Sequence, residues 1–116
     1  MPWAVEFHAE LAEEFDSFPA AVQDEFLAHV KLLAAFGPTL GRPTVDTLKG
    51  TKVANLKELR FAAAGGVWRV VFAFDRKRIA VLLAVGDKRG KSEARFYKTL
   101  IAVAERRFAT WSAGGR

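Results

Sequence analysis

The spacing of apolar residues changes several times along the chain, and each change predicts an element. Trp3 to Phe7 alternates and is rich in aromatic and β-branched residues, which predicts a short first strand. Leu11, Phe15 and Phe18 follow at helical spacing with Glu10, Glu13 and Glu14 between them, and Ser17 and Pro19 mark a break and a new helix start. In the next helix Val22, Phe26, Val30 and Leu33 form one apolar stripe, which Gly37-Pro38 ends. Two helices joined so tightly predict an antiparallel hairpin. Thr39 to Lys52, with Gly41, Pro43 and Gly50, reads as a loop with room for a little structure.

Three strands are then predicted, at Ala54 to Phe61, Val67 to Asp75 and Arg78 to Gly86. Turns at Ala64-Gly65-Gly66 and Arg76-Lys77 make them an antiparallel meander. Asp87 to Lys91 is a basic loop, and Ser92 caps a last helix carrying Phe96, Leu100, Ala104, Phe108 and Trp111. The expected fold is a small α+β domain of order β-α-α-β-β-β-α, with a mainly antiparallel sheet and its helices on one face. No internal repeat, low-complexity stretch or linker divides the chain, so residues 1–116 are expected to form a single domain.

Composition narrows the class. A chain of 116 residues that is 51% hydrophobic and 12% aromatic can bury a core, which argues against disorder. With no cysteine it has no disulfide, thiolate metal site or thiol nucleophile. The N-terminal Met-Pro-Trp-Ala-Val-Glu-Phe-His lacks the basic and long apolar regions of a signal peptide. The longest apolar run, Ile79 to Val85, is too short to cross a bilayer. A cytoplasmic protein with no membrane partner, no metal and no cofactor is expected.

Charge changes the picture more. Met1 to Leu48 holds eight acidic residues against Lys31 and Arg42, a net of −6, while Lys49 to Arg116 holds sixteen basic and five acidic residues, a net of +11. The two halves sum to the chain's +5. A basic half of this kind fits a polyanion such as nucleic acid, and a solvated surface kept for solubility is the plainer alternative.

The positions of the charges sharpen the choice. Trp68, Val70, Phe72 and Phe74 share one strand face, and Arg69 lies on the other with Val71 and Ala73. Leu59 and Phe61 likewise oppose Glu58 and Arg60. A hairpin turning at Ala64-Gly65 sets Arg60 directly across from Arg69, a like-charge pair that an anion between them would relieve. A surface network in which Glu58 and Glu93 neutralise the arginines is the competing reading. Lys88, Arg89, Lys91, Arg95 and Lys98 gather near one end of the sheet with Tyr97, a platform for an unstacked base. Tyr97 also shares a helical face with Ile101, Ala104 and Phe108, so a core role competes.

Taken in order, Leu56-Lys57-Glu58-Leu59-Arg60, Trp68-Arg69-Val70-Val71-Phe72, Gly86-Asp87-Lys88 and Phe96-Tyr97-Lys98 resemble the RelE/ParE toxin superfamily. The chain looks most like the phage-derived HigB-like branch of type II toxin–antitoxin systems. The resemblance implies a RelE-like fold and a toxin that cleaves messenger RNA on the translating ribosome. It also implies silencing by a co-encoded antitoxin, typically a helix-turn-helix protein. By position it assigns Arg60, Arg69, Lys88 and Tyr97 as catalytic residues, and the basic charge of the second half adds Lys57, Arg89, Lys91, Arg95 and Lys98 as RNA-binding residues. The histidines some HigB proteins use have no counterpart at the matching C-terminal positions.

RNA brings its own nucleophile, the 2′-hydroxyl, so such an enzyme needs neither metal nor covalent residue. Arg60 and Arg69 suit stabilisation of phosphoryl charge, because guanidinium stays protonated and its fork fits phosphate oxygens. Lys88, with Lys57 or Lys91, is the candidate for moving protons, and Tyr97 for orienting a base. The products would be a 2′,3′-cyclic phosphate and a 5′-hydroxyl. A ParE-like DNA gyrase poison and a non-catalytic nucleic-acid-binding module are the alternatives.

Other features are expected to be structural. His8 and His29 lie in the acidic half, Asp75 makes a turn, and Glu10, Glu13 and Glu14 form a solvated face. Gly86-Asp87-Lys88-Arg89-Gly90 lacks P-loop spacing. On the last helix Arg106, Arg107, Phe108 and Trp111 suit an antitoxin contact as well as they suit closing the core.

Overall fold

The structure, a computed structural model, describes residues 2–114. Its elements are strand β1 (Ala4–Phe7), helices α1 (Ala9–Phe15) and α2 (Ala20–Phe36), strands β2 (Val45–Thr47), β3 (Lys57–Ala63), β4 (Gly66–Phe74) and β5 (Ile79–Asp87), and helix α3 (Glu93–Ser112). The strands form one sheet in the order β1-β5-β4-β3-β2. Only the β1–β5 pairing is parallel; the others are antiparallel. The α+β class and the mainly antiparallel sheet are as expected, and β2 is the small element inside the Thr39 to Lys52 loop. No helix among the described residues is long and apolar enough to cross a membrane.

The helices do not share one face of the sheet, which corrects the expected layering. Helices α1 and α2 place Leu11, Val22, Phe26 and Leu33 against Leu59, Phe61, Val70, Phe72, Ala80 and Leu82. Helix α3 covers the other face, where Phe96, Leu100, Ala104 and Trp111 meet Val71, Ala73, Val81 and Leu83. Strands β4 and β5 are apolar on both sides because both sides are buried, a pattern shared with the central strands of doubly covered sheets. The α1–α2 side is aromatic: Phe15 stands edge-on to Phe26 at 5.3 Å, and Phe26 to Phe61 at 5.8 Å. Such pairs add about 0.5–1.5 kcal/mol each beyond the area they bury.

The β3–β4 hairpin turns at Ala64-Gly65, both at positive φ (51° and 76°), as a two-residue hairpin with the right twist requires. Strand β5 carries a bulge. Val71 pairs with Ala84 and Phe72 with Leu82, so Leu83 has no partner on β4. Strand β1 ends opposite Leu82. The Leu83 carbonyl instead accepts from the Arg107 guanidinium at 2.8 Å, and the same guanidinium grips Glu14 of α1 at 2.8 and 2.9 Å. Arg106 reaches Glu10 at 3.3 Å.

These contacts settle the roles of α1 and of the end of α3. Glu10 and Glu14 are joined to α3 across the sheet edge and are not a free acidic face. Trp111 is buried, and its indole donates to Asp75 Oδ2 at 3.0 Å. Asp75 Oδ1 takes the Lys77 and Ile79 N–H groups and so holds the β4–β5 turn. Arg107 and Trp111 therefore close the core, whereas Arg106 is exposed and Phe108 half-buried.

His8 caps α1. Its Nδ1 accepts from the Glu10 N–H at 3.1 Å, so that nitrogen must be unprotonated, and its buried Nε2 has no partner. Burial pushes His8 below its ordinary pKa; the Glu10 carboxylate opposes this and the Arg107 and Arg106 guanidiniums add to it. A basic group lowered in the fold takes its proton more readily in the unfolded chain. Its stabilising contribution is complete above the unfolded value of about 6.5 and is lost as pH falls below it. The melting temperature should therefore drop between pH 7 and pH 5. His8→Asn keeps a capping acceptor and should flatten that part of the profile; an equally steep profile in the variant would assign the pH dependence elsewhere.

Candidate nucleic-acid interface and active site

The site forms at the end of the sheet where α3 begins. Strand alternation sends Glu58 and Arg60 of β3 and Arg69 of β4 to the α3 face, and the register sets Arg60 opposite Arg69 and Arg69 opposite Gly86. Gly86 has to be glycine: a Cβ there would come within 2.9 Å of the Phe96 ring. That close approach lets α3 start against the sheet and brings Phe96 and Tyr97 over Arg69. Ser92 caps the helix by accepting from the Arg95 N–H at 3.3 Å.

The two arginines avoid each other by opposite means. Arg60 stays half exposed and its Nε donates to Oε1 of Glu58, which is only 1% exposed. Arg69 is folded inward and 9% exposed. Its guanidinium carbon lies 5.7 Å from the Phe96 ring centre and 5.8 Å from that of Tyr97. Its Nη1 donates to the Val67 carbonyl at 3.2 Å, and its Nε is buried without a partner. Among the described residues no carboxylate forms an ion pair with Arg69.

Tyr97 completes the cluster. Burial raises its phenol pKa, the adjacent Glu58 carboxylate raises it further, and Arg69 opposes both. The phenol thus remains a proton donor at neutral pH. The hydrogen bond to Glu58 likewise raises Arg60, against a smaller effect of burial. The ring of Tyr97 stands edge-on to Phe96 at 5.2 Å and packs beside the α3-side core, as the core reading expected.

The remaining candidates divide. Lys88 is half-buried in the turn after β5, two residues beyond Gly86, and Lys91, Arg95 and Lys98 are exposed. None of these four forms an ion pair among the described residues. Lys91 and Arg95 line a groove of about 440 Å³ floored by Val85, Gly86 and Phe96. Arg89 is committed elsewhere, to Asp87 at 2.7 Å and the Ala64 carbonyl at 3.1 Å, and it clamps the β3–β4 turn.

Lys57 is not brought to the site. Alternation puts it with Leu59 and Phe61 on the α2 side, at the far end of β3, where its Nζ donates to Thr47 at 3.2 Å. Glu58 is the residue whose part was underestimated: it is the buried carboxylate that holds Arg60, and its second oxygen, Oε2, is buried without a hydrogen-bond partner beside Tyr97. The signal lay in its place between apolar Leu56 and Val71 neighbours, which makes burial more expected than exposure. Among the described residues no three His, Asp or Glu side chains gather as metal ligands.

Comparison with known proteins fits this geometry. Residues 13–109 match the family described as phage derived protein Gp49-like. The chain belongs to the Gp49-like family. HigB3 of Mycobacterium tuberculosis, named as a toxin, is 45% identical over 84 residues, which cover 72% of this chain and 71% of that protein. HigB2 of the same organism, also named as a toxin, is 41% identical over 83 residues, covering 71% of this chain but 41% of HigB2. The fold matches RelE structures. The RelE–RelB complex of Pyrococcus horikoshii gives a TM-score of 0.58 at 24% identity, covering 79% of this chain and 100% of that one. A free-state mutant of the E. coli toxin RelE gives 0.58 at 14% identity, covering 88% and 96%. The phage-derived HigB-like assignment of the resemblance is thereby established, and this Gp49-like chain is a toxin of the RelE/HigB type.

The Glu58–Arg60 pair of this Gp49-like protein yields a test. Arg60→Ala strands a buried carboxylate. Because Arg60 is half exposed, the loss should be about 2 kcal/mol, below the 3–5 kcal/mol of a fully buried pair. Adding Glu58→Gln removes the orphaned charge and should recover most of the melting temperature. Equal melts for wild type and Arg60→Ala would show that Glu58 does not depend on Arg60.

Proposed function

We propose that this toxin is a metal-independent endoribonuclease that cuts messenger RNA on the ribosome. The carrying observation is Arg69: a guanidinium nine-tenths buried, with no carboxylate partner among the described residues and an Nε that makes no hydrogen bond. A buried cation without its counter-charge is costly, and a phosphate seated between Arg69 and the opposed Arg60 would supply it. The rim of Lys88, Lys91, Arg95 and Lys98 gives the RNA strand a basic track, and the groove beside Gly86 gives a neighbouring base room.

In the proposed reaction the 2′-oxygen attacks the adjacent phosphorus. The P–O bond to the 5′-oxygen breaks, leaving a 2′,3′-cyclic phosphate and a 5′-hydroxyl. Arg60 and Arg69 hold the phosphoryl oxygens as charge grows on them. In this reading Lys88, in its neutral amine form, takes the 2′-hydroxyl proton and the Tyr97 phenol gives its proton to the leaving 5′-oxygen; the proton on Lys88 then returns to the Tyr97 oxygen through water. Fixed cations in a partly dry site need no reorganisation as the charge moves. Helping to silence the toxin, a helix-turn-helix antitoxin covers or blocks this face; the matched RelE structure is itself a complex with RelB.

Induction in a growing culture, with mapping of RNA ends, tests the reading. Arg69→Gln should slow cleavage by about 10²-fold while the chain still melts cooperatively. Ribosome binding should weaken with salt at a log–log slope of about −2 to −3, given three or four phosphate contacts at roughly −0.7 each. New 5′-hydroxyl ends in messenger RNA support the ribonuclease. Intact RNA with accumulating double-strand DNA breaks would replace it by gyrase poisoning.

A further inference from the structure

Two ion pairs of this chain are built in different ways. Arg107 meets Glu14 fork to fork, with Nη1 reaching Oε1 at 2.9 Å and Nη2 reaching Oε2 at 2.8 Å. Both carboxylate oxygens are used, which is the strong form of such a pair. Arg60 meets Glu58 at one point. Only its Nε donates, to Oε1, while Glu58 Oε2 is buried without a hydrogen bond. The Arg60 Nη groups bond no carboxylate or carbonyl among the described residues, and the side chain is 47% exposed. The Tyr97 phenol stands beside it.

A single-point pair is a poor way to stabilise a fold. Burying the Glu58 carboxylate is costly, and one hydrogen bond with the second oxygen unpaired offsets little of that cost. The pair does fix a geometry. Glu58 and Arg60 are two residues apart on β3, so alternation sends both to the same face, and the ladder to Val71 and Arg69 holds them there. The carboxylate takes the guanidinium by its inner edge and turns the outer edge away from the sheet.

We infer that Glu58 is a positioning residue: by taking the Arg60 Nε–H it leaves the two Nη groups as an open fork for a phosphate seated between Arg60 and Arg69. This role rests on the phosphate site proposed above and adds what aims one of its arginines. Arg69 is held from behind by the Phe96 and Tyr97 rings and the Val67 carbonyl, and Arg60 is held from behind by Glu58. A guanidinium already aimed loses less freedom when it binds. The charge of Glu58 acts in the opposite direction, because a carboxylate near the site repels phosphate. Aiming and repulsion therefore have opposite signs, and a variant can tell them apart.

Nuclear magnetic resonance of the isotopically labelled full chain, with inorganic phosphate as the probe, makes the measurement. The Nε–H signal of Arg60, assigned by its loss in Arg60→Lys, should exchange with water about tenfold more slowly than those of the exposed arginines. It should stay slow as phosphate is added, while the Arg69 Nε–H signal shifts. Glu58→Gln keeps the shape and a neutral acceptor, and should raise the Kd for phosphate about fivefold. Electrostatics alone gives the reverse, tighter binding once the negative charge is gone. Glu58→Leu removes the acceptor altogether and should weaken phosphate further while the chain still melts cooperatively. Unchanged or tighter phosphate binding in Glu58→Gln, fast exchange at Arg60 once phosphate is bound, or no phosphate-dependent shift at either arginine would overturn the inference. Mapping of RNA ends separates the two readings. A wild type that binds phosphate in this way but cuts no RNA keeps the role of Glu58 and removes the ribonuclease; RNA cleavage with phosphate bound equally well by Glu58→Gln does the opposite.

Discussion

The double burial of β4 and β5 governs where this chain can carry charge. With α1 and α2 on one face and α3 on the other, a charged side chain in the middle of either strand would be desolvated with no partner in reach. Polar function is thereby forced to the strand ends and to the open edge. Arg69 stands near the start of β4, where α3 has only begun to cover the sheet. Arg107 enters the interior only by taking the carbonyl freed at the Leu83 bulge and a carboxylate from α1. One buried guanidinium is thus held by carboxylates of α1, although its Nε, 3.5 Å from Glu10, makes no hydrogen bond, and the other has no carboxylate beside it among the described residues. The contrast separates a structural arginine from one available to an anion.

Much of this was legible from period alone. Strand alternation gave the faces of β4, and the Ala64-Gly65 turn fixed the register that opposes Arg60 to Arg69; a slip of one residue would have put Arg69 on the α2 side. Layering was misread because Arg69 marked its whole face as outward, although Val71 and Ala73 beside it are apolar and the run Ile79 to Val85 carries no polar face at all. That run is the signature of burial on both sides. Alternation would also have placed Lys57 with Leu59 and Phe61, away from the site; the basic cluster drew it in against its own period.

Other contacts could not be read from local pattern. Glu14 and Arg107 are 93 residues apart in sequence, and their meeting depends on how β1 ends and where β5 bulges. The apparent segregation of an acidic front and a basic back is partly cancelled in space by this pair and by Glu10 with Arg106. Among the basic residues without an ion pair in the described residues, Lys88, Lys91, Arg95 and Lys98 gather around the N-terminal turns of α3. Net charge along the chain pointed to a half, and only the fold showed which of its members are paired and which gather.

The sheet also divides the surface into two kinds of business. On the α3 side, opposed cations and a buried carboxylate lie together where the sheet is least covered, an arrangement that a bound anion would favour. On the α2 side the sheet meets apolar and aromatic side chains and nothing resembling a phosphate site. Because the doubly packed strands lie between the two faces, a substitution in the α2 layer reaches the arginine row only through the strands themselves. The same constraint that drives charge to the strand ends therefore keeps the aromatic packing of α1 and α2 apart from the polar start of α3.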